Sequence, residues 1–206
     1  MQGISICRNH SGAIVRQVNG WHSEVAFSHS TVAPLVLSQS TDFVEFFAPL
    51  FPAIASRYWL LEDVAFAFPS GWDGWHAETH QFEPSTAWDA FLGEHLALNG
   101  DFRLVRPRFL ESYARYFSDD WCAIAGFATA PESPLRFLET YARHVGMPAD
   151  KLRKLNTELD ILFLCVDGLM WELFARDRRL LAIVQQHLAG RQDLHVEPLT
   201  LEQSRG

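Results

Sequence analysis

The sequence has little cysteine, and its three cysteines, Cys7, Cys122 and Cys165, lie far apart. An odd, widely spaced set excludes a disulfide-stapled framework and is typical of a reducing compartment, where buried cysteines act as small apolar residues. No apolar run reaches the roughly 18 to 20 residues that span a bilayer, and no basic and apolar leader opens the chain. We therefore expect a soluble, cytoplasmic protein.

Motifs of nucleophilic and phosphate chemistry are also missing. The chain has no Gly-x-Ser-x-Gly elbow and no glycine-rich phosphate-binding loop after a strand. Adjacent acids occur at Glu62-Asp63 and Asp119-Asp120. Neighbouring residues on a strand point to opposite faces, and acids before a strand usually cap or face solvent, so neither pair indicates acid–base catalysis. The sequence favours a non-enzymatic protein that needs no cofactor.

The chain does have enough apolar residues for a sizeable core, together with a surplus of negative charge. Its 206 residues are 48% hydrophobic and 20% charged, which is typical of a folded globular protein. The formal net charge of -8 at pH 7 repels nucleic-acid phosphates and anionic membranes. A basic partner or a small neutral one fits this charge better. We expect a protein partner, and no nucleic-acid or membrane partner.

The stretch around which the fold is organised runs from Asp160 to Arg176, where two apolar runs flank Asp167-Gly168. Asp-Gly tolerates the positive φ angles of a two-residue type I′ turn, so the pattern predicts a β-hairpin. The first arm is apolar throughout and is expected inside a sheet, whereas Glu172 in the second arm must reach an edge or meet a partner. Asp177 and Gly190 then bound a covering helix.

Periodicity predicts the remaining elements. Phenylalanines at i, i+3 and i+4 indicate a helix between Ser40 and Phe51, ended or kinked near Pro49 and Pro52. Other runs predict strands at 4–8, 13–18, 24–28, 58–68, 121–129 and 194–201, and helices at 85–98, 108–117, 134–145 and 149–158. We predict one α+β domain over residues 1–206, with an antiparallel or mixed sheet covered by helices and a central C-terminal β-hairpin. Residues 1–69 are considered as an N-terminal subdomain, although no linker marks them.

The segment from Ser70 to His80 has no periodicity that a core would use. It contains two tryptophans, two histidines, two glycines and two acids in eleven residues. Aromatic anchors surrounded by acids are typical of interaction hot spots, and an indole in such a loop is expected to be exposed until a partner covers it. We predict a partner-binding loop whose contact residues are Trp72, Asp73, Trp75, His76, Glu78 and His80.

Two alternatives stay open for this segment. His76 and His80 have the i, i+4 spacing of zinc ligands on a helix, which would suit a metal-dependent hydrolase. Glu78, however, stands two residues after His76, whereas the zincin glutamate follows the first histidine directly, and the glycines oppose a helix. A third ligand would have to come from Glu62, Asp63 or His95. The other alternative for the segment is plain structural packing. For the protein as a whole, an adaptor in a larger protein assembly is a further alternative.

The C-terminal part carries one family resemblance. The order of apolar strand, Asp-Gly turn, Trp171-Glu-Leu-Phe-Ala-Arg-Asp177 and short amphipathic helix resembles the C-terminal end of small bacterial immunity proteins, which neutralise secreted polymorphic toxins. The resemblance covers about 30 residues, Asp160 to Gly190, and carries no site residues over. It implies a cytosolic, non-enzymatic protein that binds one toxin domain directly, and an acidic surface would suit a basic toxin.

Overall fold

The computed structural model of the chain describes residues 1–8, 42–76, 79–118, 121–144, 146–154, 159–166, 170–200 and 204. The strands are β1 (Gln2–Arg8), β2 (Tyr58–Glu62), β3 (Ala65–Phe66), β4 (Trp75–His76), β5 (Gln81–Phe82), β6 (His95–Asn99), β7 (Phe102–Val105), β8 (Phe117–Ser118), β9 (Cys122–Phe127), β10 (Leu159–Val166), β11 (Met170–Ala175) and β12 (Leu194–Thr200). The helices are α1 (Asp42–Phe47), α2 (Phe51–Ile54), α3 (Thr86–Gly93), α4 (Phe109–Tyr113), α5 (Pro134–Ala142), α6 (Pro148–Lys154) and α7 (Arg178–Leu188).

Eight of these strands form one antiparallel sheet in the order β12-β1-β11-β10-β9-β2-β7-β6. The predicted α+β fold, with an antiparallel sheet covered by helices, is therefore confirmed. β12 and β6 are the two edges of the sheet, and Pro198 lies on β12, where a residue without an N–H group is tolerated. Among the described helices, none is long and apolar enough to cross a membrane.

Helices pack on both faces of the sheet, so its inner strands are buried on both sides. On one face, residues such as Trp59 and Phe163 pack against α1, α2, α4 and α7. On the other, residues such as Leu60 and Leu162 pack against α5 and α6. Because side chains alternate along β2, Leu61 joins the first core and Glu62 points into the second.

The two arms of the predicted C-terminal hairpin are antiparallel neighbours. β10 and β11 pair from Ile161 with Ala175 to Val166 with Met170. The predicted Asp167-Gly168 turn lies outside the described residues. Glu172 is buried and accepts a hydrogen bond from the Ser204 hydroxyl at 2.5 Å, so it meets a partner as expected.

Several helix boundaries follow the sequence signals. α1 buries Phe43, Phe46 and Phe47, and a 3₁₀ turn over Ala48–Leu50 separates it from α2, as the prolines predict. The Asp177 side chain caps α7 by accepting from the Arg179 backbone N–H at 3.0 Å.

Two predicted elements are wrong in extent. The strand predicted over 58–68 stops at Glu62, because Asp63 adopts a φ of +54° and turns the chain before β3. The helix predicted over 85–98 ends at Gly93, and β6 follows it as an edge strand paired with β7. Leu92, which the predicted helix includes, is exposed. The strands predicted at 13–18 and 24–28 lie outside the described residues.

Gly126 on β9 lies close against side chains of both neighbouring strands and provides a stability test. It pairs with both Trp59 and Ile161, and a Cβ placed on it would lie 2.5 Å from Ile161 Cγ2 and 2.7 Å from Trp59 Cζ3. We expect Gly126→Ala to lower the free energy of unfolding by about 1–3 kcal/mol, because both neighbours are fully packed. Urea denaturation measures it.

Gly93→Ala is the matched control for this change. No atom lies within 4 Å of a Cβ built on Gly93, which is the last residue of α3. Because alanine has the higher helix propensity, the control should be neutral or stabilising by up to about 1 kcal/mol. Equal losses in both variants would contradict the packing described for Gly126.

Candidate functional site

An exposed aromatic pair is the most unusual feature of the described surface. Trp75 on β4 and Phe82 on β5 are cross-strand neighbours, and they are 45% and 65% exposed. We call β4 and β5 the aromatic hairpin. The expectation that one indole of the 70–80 segment is exposed is confirmed by Trp75. Large aromatic side chains that remain in water mark candidate contact surfaces.

Glycines and one carboxylate shape the turn that leads into the aromatic hairpin. Gly71 and Gly74 have φ angles of +75° and +86°, which side-chain-bearing residues rarely adopt. A Cβ on Gly74 would also lie 2.2 Å from the Glu83 carbonyl oxygen. Asp73 Oδ1 accepts from the Trp75 N–H at 3.0 Å. The turn therefore fixes where Trp75 points rather than leaving it loose.

The other tryptophan of the segment, Trp72, anchors the turn to the core. Its indole stacks on Phe68 with ring centroids 4.0 Å apart and planes 8° from parallel. Its carbonyl accepts from the Ser85 hydroxyl at 2.7 Å, and Ser85 Oγ in turn caps α3 by accepting from the Trp88 N–H. Trp72 thus supports the surface from below, and its predicted role as a direct contact stays a prediction.

A cleft of about 470 Å³ opens beside the aromatic hairpin. Aromatic rings form much of its wall, and Asp73 and Arg103 supply its charges; the aromatic lining residues are Phe66, Phe68, Trp75, Trp88 and Phe91. The Arg103 guanidinium lies 5.4 Å from the Phe66 ring centroid, and its Nη1 donates to the Val64 carbonyl at 3.1 Å. Burial lowers the pKa of Arg103, and Asp101 and Asp63 oppose that shift. A cleft of this size with aromatic walls and two charged side chains is typical of a ligand or anchor site.

The two histidines considered as zinc ligands, His76 and His80, contact different residues. His76 lies on β4 with its Nε2 3.8 Å from a Glu83 oxygen, whereas His80 has a φ of +52° and its ring is 6.1 Å from that of Trp75. Across the described residues, no group of three His, Cys, Asp or Glu side chains is placed to hold a metal ion. Glu78 lies outside those residues.

Glu62, one of the suggested third ligands, is engaged elsewhere. The buried Glu62 carboxylate accepts from the Tyr141 hydroxyl at 2.5 Å and from the Lys151 ammonium, and the Lys151 Nζ also lies 5.3 Å from the Phe102 ring centroid. Burial, followed by the Glu62 charge, raises the pKa of Tyr141. Burial and the Glu62 charge also raise the pKa of Asp63. Glu62 therefore joins α5 and α6 to the sheet.

His95 is packed between rings rather than held for coordination. Its ring lies 4.7 Å from that of Phe91, and its Nδ1 is 2.9 Å from the Phe91 carbonyl oxygen. Its Nε2 is buried and has no hydrogen-bond partner within the described part of the chain. Burial lowers the pKa of His95, because the charged ring would lose its hydration.

The lowered pKa of His95 predicts that stability falls with acidification. Between the folded-state pKa and the unfolded value near 6.5, the unfolded chain binds more protons, so the free energy of unfolding decreases as the pH drops below about 7. We expect His95→Phe to make the dependence shallower by about one proton. Urea denaturation between pH 7.5 and 5.5 measures both proteins. An unchanged slope in the variant would show that His95 is not the titrating group.

Sequence reasoning missed Phe82, the more exposed member of the aromatic pair. Phe82 stands two residues beyond the segment chosen for its composition, and only its pairing with Trp75 brings it to the same surface. The alternation of Trp75 and Phe82 around a short polar turn was the available signal.

Comparison of the chain with protein-family models, with curated proteins and with solved structures finds no match. The candidate site therefore rests on its own geometry.

Proposed function

We propose that this protein is a non-enzymatic binding protein that uses the aromatic hairpin and the adjacent cleft to contact a protein partner. The exposed cross-strand pair of Trp75 and Phe82 carries the proposal. Two large rings held in water by an ordered turn cost free energy in the unbound protein, and burial against a partner would recover it. Trp72, Asp73, His76 and His80 surround or support this pair.

The most concrete form of the proposal is a cytoplasmic immunity protein that neutralises a secreted bacterial toxin by direct binding. The resemblance of residues 160–190 to immunity proteins supports this form. The net charge of -8 supports a basic toxin domain as the partner, since opposite charge accelerates association. Such an inhibitor needs a stable contact surface and no reactive group.

Co-expression with a toxin domain, where one is encoded beside this gene, tests the proposal. We expect the wild-type protein to relieve the growth arrest that the toxin causes, and a variant carrying Trp75→Ala and Phe82→Ala to fail at equal soluble level. Leu135→Ala is the control, because Leu135 is 53% exposed on α5, which covers the other face of the sheet. Growth arrest that persists with the wild-type protein, or a neighbourhood without a toxin gene, would contradict the immunity function.

A further inference from the structure

The net negative charge of the protein comes from one stretch of the chain. Residues 58–102 contain eight Asp and Glu residues and no Lys or Arg. The rest of the chain holds the other 17 acids together with all 17 Lys and Arg residues, so it is formally neutral. The whole net charge of -8 thus belongs to the segment that builds β2 to β6, which includes the aromatic hairpin and most of the cleft wall.

Much of this charge faces solvent near the aromatic rings. Asp73 lines the cleft and is exposed, Glu83 follows Phe82 directly with a 70% exposed side chain, and Asp89 is exposed next to Trp88. Glu62, in contrast, is buried, and Lys151 neutralises it inside the second core. Exposed acids around an aromatic cleft attract a cation and repel an anion.

Arg103 does not reverse this preference. Its guanidinium is directed at the Phe66 ring and the Val64 carbonyl, and the Asp101 and Asp63 charges oppose the effect of its burial. The Asp73 carboxylate, in contrast, uses Oδ1 for the Trp75 N–H and makes no second hydrogen bond within the described residues. Asp73 is therefore the acceptor that remains for a ligand.

From these features we infer that the cleft beside the aromatic hairpin receives an arginine side chain projecting from the basic surface of the partner, an inference that rests on the proposed binding function. A planar guanidinium stacks on aromatic faces and pairs with a carboxylate at the same time, which an ammonium group does less well. Arginine is also among the residues most enriched at interface hot spots.

A short peptide isolates the chemistry of the cleft from the rest of the interface. The probe is Ac-Gly-Arg-Gly-amide, titrated while the indole N–H resonances are followed by NMR. The matched neutral probe carries citrulline, which keeps the shape of arginine without its charge, and the opposite probe carries glutamate. We expect the Trp75 and Trp88 resonances to shift saturably with the arginine peptide, at an affinity about 3- to 10-fold above that for citrulline.

Asp73→Asn supplies the matching change on the protein. Asparagine keeps the oxygen that accepts from Trp75, so the turn is preserved while the charge is lost. We expect the preference for arginine over citrulline to disappear in this variant. It should persist in Glu197→Gln, which removes one charge from β12 at the opposite edge of the sheet from β6.

The outcomes separate this inference from the proposed function. Equal affinities for arginine and citrulline, tighter binding of the glutamate peptide, or no shift with any peptide would overturn the arginine site. If the toxin domain still binds through Trp75 and Phe82 in that case, the proposed function stands alone. If the arginine peptide binds selectively but no toxin does, the cleft chemistry stands and the immunity function fails.

Discussion

Replacing Lys151 with methionine is expected to lower the free energy of unfolding by about 3–5 kcal/mol. Glu62 is 3% exposed, and Lys151 is the cation that neutralises its charge. Removal of one partner leaves the other charge buried without compensation, which is the costly way to break a buried pair. Methionine keeps most of the apolar stem, so the loss reports on the charge rather than on a cavity. Urea denaturation at pH 7 measures it.

A second substitution shows whether the loss comes from the pair. In a protein carrying both Glu62→Gln and Lys151→Met, no charge is left unpaired, and glutamine still accepts from the Tyr141 hydroxyl. We expect this variant to recover most of the stability. Arg179→Met is the surface control, because its ion pair with Asp177 is exposed to solvent, so its loss should leave the stability almost unchanged. Additive losses from Glu62→Gln and Lys151→Met would contradict the pairing.

Alanine at Trp75 and at Phe82 is expected to weaken partner binding by about 2–4 kcal/mol for the stronger position, or at least 30-fold. Both rings are exposed in the free protein. Their removal should therefore change the melting temperature as little as an ordinary surface substitution does. The loss should fall mainly on the dissociation rate, because the rings act after the charges have brought the proteins together.

Surface plasmon resonance with the proposed toxin partner, where a neighbouring gene encodes one, measures these rates. Leu135→Ala serves as the control for loss of an exposed apolar side chain away from the aromatic hairpin. If the alanine substitutions at Trp75 and Phe82 weaken binding less than Leu135→Ala does, the interface lies elsewhere. Association that slows steeply with added salt is expected in every variant that keeps the acids of residues 58–102.

The fold class was predictable from local sequence patterns, whereas the boundaries between neighbouring helices and strands were not. The phenylalanine spacing of α1 and the cap at Asp177 are local signals, and the structure follows both. His95 to Asn99 continue an apolar helical pattern, but pairing with β7 makes them a strand. Pairing with a distant strand overrides local propensity, and a single sequence does not display it.

The candidate site was likewise predictable in part from the sequence. Composition alone pointed to residues 70–80, and Trp75 is exposed there as expected. Composition did not separate Trp75 from Trp72, whose stacking on Phe68 depends on the tertiary fold. Nor did it identify the partner of Glu62, since Lys151 stands 89 residues away along the chain. Contacts at that separation become visible only when the sheet and its helices are assembled.

Measuring the solvent exposure of Trp75 in the free protein and in the complex tests the proposed interface most directly. The protein is labelled with 5-fluorotryptophan, its resonances are assigned by substitution, and the ¹⁹F shift of each is compared in H₂O and D₂O. In the free protein, Trp75 should show a solvent isotope shift and the buried Trp59 should show none. On saturation with the proposed toxin partner, the solvent isotope shift of Trp75 should disappear, while Trp59 should stay unchanged. A saturated complex in which Trp75 keeps its full solvent shift would contradict the role given to the aromatic hairpin.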